Sequence, residues 1–108
     1  MTQPRTLVTI PPRAKKGEVV TVRALAQHAM ENGFRHDEYG KKIPRDMIDV
    51  FRCQFNGVEV FRAELIGGIA ANPLMQFTVR VMQSGRFDLT WEGDNGYLAK
   101  ASANIEVS

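Results

Sequence analysis

Apolar and polar residues alternate along most of this chain with a period of two, the pattern of strands that bury one face. The clearest instance is Asp46 to Leu65, where two runs rich in β-branched and aromatic residues flank Asn56-Gly57. Asn-Gly is a strong hairpin signal, because a two-residue turn of this kind needs φ > 0 at both central positions. Pairing Phe55 with Val58 puts Cys53 opposite Val60 and gathers Phe51, Cys53, Phe55, Val58 and Val60 on one face. Arg52, Gln54 and Glu59 take the other face, together with Phe61. Apolar matter on both faces away from the turn calls either for a bulge that switches the inward face or for a cover over the outer one.

The same period recurs along the rest of the chain. Thr6 to Ile10 predicts a short first strand that stops at Pro11-Pro12, since proline cannot donate to a ladder. Glu18 to Ala26 sets Val20, Val22 and Ala24 against Val19, Thr21 and Arg23 and predicts a second strand. Ile66 to Pro73 reads as a Gly-Gly joint leading into an Asn-Pro turn. Leu74 to Met82 alternates with Phe77, Val79 and Val81 inward, and Arg86 to Glu92 with Phe87, Leu89 and Trp91 inward. Gly93 to Gly96 is a second turn, and Tyr97 to Val107 predicts a last strand whose inner face holds Tyr97, Ala99, Ala101 and Ala103, followed by Ile105 and Val107. About seven short strands joined by tight turns, without a persuasive helix or a βαβ unit, predict an all-β, immunoglobulin-like (fibronectin type III-like) antiparallel β-sandwich. A partly open barrel is the alternative.

One segment breaks the period. Gln27 to Arg45 is polar, contains both histidines, and includes Gly33, Gly40 and Pro44. A connection this long inside a compact domain more often carries interactions than merely spans a gap, so it is the first candidate for a binding surface.

Composition narrows the function classes. A chain of 108 residues suits a single domain over 1–108, with 44% hydrophobic and 24% charged residues. The net charge of +2 is too slight to demand nucleic acid, and the lysines are not interleaved with an aromatic stacking platform. No run approaches the roughly 20 apolar residues of a helical membrane span, and no secretory signal is expected in the opening residues MTQPRTLVTIPPRAKK. Basic residues cluster at Arg13, Lys15 and Lys16 and at Lys41, Lys42 and Arg45, which reads as solvated loop surface with a modest pull on anions or an acidic partner.

Candidate chemistry is sparse. Cys53 is the single cysteine and alternates with Phe51 and Phe55, the setting of a buried structural thiol rather than a reactive one. His28 and His36, beside Asp37 and Glu38, match no zinc or iron spacing. Asp94-Asn95-Gly96 lacks the alternating oxygen ligands of a calcium loop. No phosphate loop, nucleophile elbow or HExxH motif is present. No catalytic, cofactor-binding or metal-binding residue is therefore predicted.

The order and identity of several segments resemble the SoxZ family of the thiosulfate-oxidising multienzyme system. The resemblance rests on AKKGEVVTVRALAQHAMENG (Ala14 to Gly33), GKKIPRDMI (Gly40 to Ile48), FNGVEVFRAEL (Phe55 to Leu65), IAANPLMQF (Ile69 to Phe77) and SGRFDLTWEGDNG (Ser84 to Gly96). The chain departs from the usual pattern at Ala29, where a proline commonly follows the histidine, and at Gly67-Gly68.

The resemblance implies a non-catalytic subunit without cofactor that pairs with SoxY. That partner carries sulfur intermediates covalently on the cysteine of a mobile C-terminal arm, which the closing residues ASANIEVS do not resemble. It also implies a periplasmic location reached by co-export with the partner, and transient contact with sulfur-oxidising Sox enzymes. Neither nucleic acid nor membrane is an expected partner. The candidate interface residues are His28, Met30, Phe34, Arg35 and Arg45 in the long loop, and Arg52 and Phe61 on the outer side of the hairpin. A generic immunoglobulin-like interaction module, unrelated to sulfur chemistry, is the alternative reading.

Overall fold

The computed structural model describes residues 4–28, 30–31, 33–65 and 74–108. The expected Ile66 to Pro73 joint, with Gly67-Gly68, lies outside the described residues, as does Ala29. The chain forms an immunoglobulin-like β-sandwich, with eight strands among the described residues: β1 (Thr6–Thr9), β2 (Arg13–Ala14), β3 (Glu18–Ala26), β4 (Ile48–Phe55), β5 (Val58–Glu64), β6 (Leu74–Val81), β7 (Gly85–Gly93) and β8 (Leu98–Val107). A short 3₁₀ turn at Asp94–Gly96 links β7 to β8. One sheet has the order β1-β3-β6 and the other β2-β8-β7-β4-β5. Among the described residues all strand pairings are antiparallel except that of the two-residue β2 with β8, an element the sequence pattern does not predict. Two residues offer too little pattern to register as a strand.

The core forms where the inward rows of the two sheets meet. In the larger sheet Trp91 pairs with Ala99, Leu89 with Ala101 and Phe87 with Ala103. Alanines on β8 thus leave room beside the bulky residues of β7, the large-against-small fit that dense packing requires. Phe51 on β4 lies 5.1 Å from Trp91 and 5.9 Å from Phe77 of the opposite sheet, measured between ring centroids. Val20, Val22, Ala24 and Ala26 of β3 and Val81 of β6 complete the buried layer.

The central hairpin forms as the Asn-Gly signal predicts, with Asn56 at φ 51° and Gly57 at φ 83°. Its register changes one step from the turn. Gln54 pairs with Glu59, but Cys53 pairs with Phe61 rather than with Val60, so Val60 is the extra residue of a β-bulge. The bulge is the resolution of the two-faced apolar pattern: it turns Phe61 and Ala63 inward with Phe51 and Cys53. The expected outward position of Phe61 and inward position of Val60 are corrected accordingly, whereas Val58 keeps its expected place opposite Phe55. Val58 stands 66% exposed beside the turn, because three strands cannot cover the whole face of five.

Candidate partner-binding surface

The long loop divides into an anchored base and an exposed tip. At its start, Gln27 N–H donates to Arg5 O at 2.9 Å, and the Tyr97 hydroxyl donates to Gln27 O at 3.0 Å. His28 is buried; its Nδ1 accepts from Met30 N–H at 2.9 Å, and its Nε2 lies 3.4 Å from Asp46 Oδ1. The Tyr97 ring meets the imidazole edge-on at 4.6 Å. Burial, and then the nearby Asp46 carboxylate, push the Tyr97 phenol pKa up. Met30 is also buried, at φ 57°, with its sulfur accepting from Ile48 N–H at 3.4 Å. A two-way backbone pair between Glu31 and Asp46, 2.7 Å each way, closes the base.

The base therefore places His28 and Met30 inside the subunit, where they shape the loop rather than its surface. Arg45 forks between Asp49 Oδ1 at 2.7 Å and Asp94 Oδ2 at 2.9 Å, tying the loop's end to the 3₁₀ turn. Arg52 pairs with Glu92 across the outer face of the larger sheet, and the half-buried Phe61 is stacked against Phe77 on the inner face.

The tip is built differently. Arg35 pairs with Glu31 one helical-turn spacing away, and that hydrogen bond lowers the carboxyl pKa and raises that of the guanidinium. Asp37 Oδ1 accepts from both Tyr39 N–H and Lys41 N–H at 2.9 Å, and Gly40 takes φ 78°, which holds a tight turn in place. This turn presents Phe34 at 79% and Tyr39 at 87% exposure, with the Lys42 ammonium 5.9 Å from the Phe34 ring centroid. Aromatic and cationic side chains held on a defined turn are the chemistry that protein interfaces favour. Of the candidates read from the sequence, Phe34 and Arg35 stand together on this tip. Tyr39 was missed, although an aromatic inside an Asp-x-x-Gly turn is a legible sign of outward display.

The single thiol of the chain is not placed for chemistry. Cys53 is fully buried, and desolvation, with a smaller push from Asp88, raises its thiol pKa to about 12. A neutral, inaccessible thiol is a poor nucleophile. Among the described residues no three or more His, Cys, Asp or Glu side chains gather as a metal site. No helix among them is long and apolar enough to cross a membrane.

Comparison with known proteins decides the family. The sequence model described as sulphur oxidation protein SoxZ matches residues 8–104. The chain belongs to the SoxZ family. No curated protein matches it by sequence. Among solved structures it resembles the superoxide reductase (neelaredoxin) from Ignicoccus hospitalis, with a TM-score of 0.76 and 19% identity over 97% of this chain and 82% of that one. It also resembles the sulfur carrier protein SoxY from Chlorobium limicola f thiosulfatophilum, with a TM-score of 0.67 and 11% identity over 95% of this chain and 78% of that one. At such low identity these likenesses concern the fold alone. This SoxZ-family chain thus shares its sandwich with both an enzyme and a sulfur carrier.

Proposed function

We propose that this SoxZ-family chain is the non-catalytic subunit of a SoxYZ-type heterodimeric carrier of covalently bound sulfur intermediates in thiosulfate or sulfide oxidation. The observation that carries the reading is the state of its single cysteine. A thiol at zero exposure, its pKa pushed up to about 12 by burial, is a poor group for taking up and handing over sulfur, which supports a carrying cysteine on a partner chain. The role left to this subunit is to support that partner and help form the surface on which acting Sox enzymes dock transiently.

The exposed tip bearing Phe34, Arg35 and Tyr39 is the contact element we assign to this role, with the buried His28 and Met30 base fixing its position. Supporting the partner from a loop pinned to the sandwich keeps the ordering cost of binding low. The complex works in the periplasm in this reading, and this chain is exported together with its partner.

Co-expression with a SoxY-type subunit, followed by size-exclusion chromatography and non-reducing mass spectrometry, tests the proposal. The expected result is a one-to-one complex with sulfur adducts confined to the partner's cysteine. A stable monomer without affinity for any SoxY-type protein sinks it and favours a generic immunoglobulin-like module.

A further inference from the structure

The two outer faces of the sandwich differ in a way that the loop does not explain. On the larger sheet, opposite charges satisfy one another: Arg52 with Glu92, Arg62 with Glu59, and Arg86 with Asp88. That is the surface of a face meant for water. The smaller sheet is otherwise. Its strands pair Leu7 with Leu25 and Leu25 with Leu74, so three leucines form one row straight across β1, β3 and β6. Leu7 is 64% and Leu74 50% exposed. The row floors shallow depressions that Arg5 borders on one side and Arg23 on the other.

The outward positions of these three strands hold Arg23 and Arg80 and not one aspartate or glutamate, and Arg5 stands exposed just before β1. Glu18, at the start of β3, belongs to the opposite alternation. Arg80 donates to Gly17 O at 2.8 Å, whereas neither Arg5 nor Arg23 has an ion-pair partner among the described residues. An apolar row rimmed by uncompensated guanidinium groups is complementary to a protein surface with an apolar centre and carboxylates at its rim. It is a poor match for a second copy of this chain, since a two-fold pairing of this face would set arginines against arginines.

We infer that the outer face of the β1-β3-β6 sheet is the seat of the carrier-bearing SoxY-type subunit, which meets it with an acidic-rimmed apolar patch. The inference rests on the heterodimer proposed above and extends the contact surface beyond the loop tip. Continuity favours it: Leu25 and Arg23 lie near the end of β3 that runs directly into the loop, and Gln27, the loop's first residue, also lines the depression beside Leu7.

Calorimetric titration of the SoxY-type subunit with wild-type chain, Leu7→Glu, Arg23→Glu and the control Lys100→Glu on the opposite sheet tests the assignment, with circular dichroism confirming that each variant folds. Leu7→Glu and Arg23→Glu are each expected to weaken binding about tenfold or more, the scale of an interface hot spot, while Lys100→Glu stays within about twofold. Wild-type binding with both face variants unchanged overturns the assignment and leaves the heterodimer standing. Absence of wild-type binding overturns both. A wild-type homodimer that Leu7→Glu dissociates gives the face to a second copy and overturns the assignment to SoxY.

Discussion

The ring of Phe61 lies flat on the ring of Phe77, centroids 4.2 Å apart and planes 4° apart, joining the edge strand β5 of one sheet to β6 of the other. The bulge at Val60 makes this stack possible by turning Phe61 inward. Phe61→Ala should cost about 2–3 kcal/mol, somewhat below the range for a fully buried phenylalanine because the ring is only half-buried. Urea denaturation monitored by Trp91 fluorescence measures it. A loss within about 0.5 kcal/mol, typical of a surface site, would show that the stack contributes nothing.

The burial of Cys53 makes its reactivity a probe of folding. Native protein at pH 8 should react with a thiol reagent far more slowly than unfolded protein, because the folded thiol pKa is about 12 against an ordinary value near 9. The unfolded chain releases this proton first as pH rises, so above about pH 9 it binds fewer protons than the native state. The thiol's contribution is therefore intact below the unfolded pKa and is lost as pH climbs from about 9 towards about 12, by at most ~1.4 kcal/mol per pH unit. Comparing the pH dependence of unfolding in wild type and Cys53→Ala isolates this contribution; identical slopes in that window would refute it.

Asn56 serves its own turn and a neighbouring one. Its side chain accepts from Arg86 N–H at 3.0 Å and donates to Ser84 O at 3.3 Å, resting where a Cβ on Gly85 would come within 2.1 Å of its Oδ1. Gly85→Ala must displace that side chain and break both bonds, at about 1–3 kcal/mol. Asn56→Ala loses the same bonds and also strains the φ 51° position, so it should cost at least as much. Thermal melts of the two single variants and the double variant test the shared cause: the double should lose clearly less than the sum.

Asp94 is the hinge of the loop's anchor, accepting from Arg45 at 2.9 Å and from Met47 N–H at 3.0 Å through one oxygen. Asp94→Ala removes both and should cost about 1–2 kcal/mol, whereas Arg45→Ala, an exposed pair member, should cost at most about 1 kcal/mol. High salt should reduce the Arg45 effect more than the Asp94 effect, because only the former is purely ionic. Equal losses with equal salt dependence would mean that the Met47 hydrogen bond adds nothing.

How much of this was legible in the chain follows from the range of each interaction. Strand alternation is local, so β3 at Glu18–Ala26 and the Asn56-Gly57 turn could be read directly from neighbouring residues, and with them the sandwich class. The buried setting of Cys53 followed from the same alternation, and the ordered motifs pointed to the SoxZ family. Tertiary structure alone decided the rest. Whether Phe61 faces in or out depends on a one-residue bulge, and a bulge is selected by what waits across the sandwich, here Phe77, sixteen positions further along and in the other sheet. The burial of His28 and Met30 at the loop's base likewise depends on distant groups, Tyr97 and Ile48, that no local pattern can supply. The leucine row on the smaller sheet exists only because the register of three strands aligns Leu7, Leu25 and Leu74, residues that are far apart in the chain and share nothing but their place in the ladder.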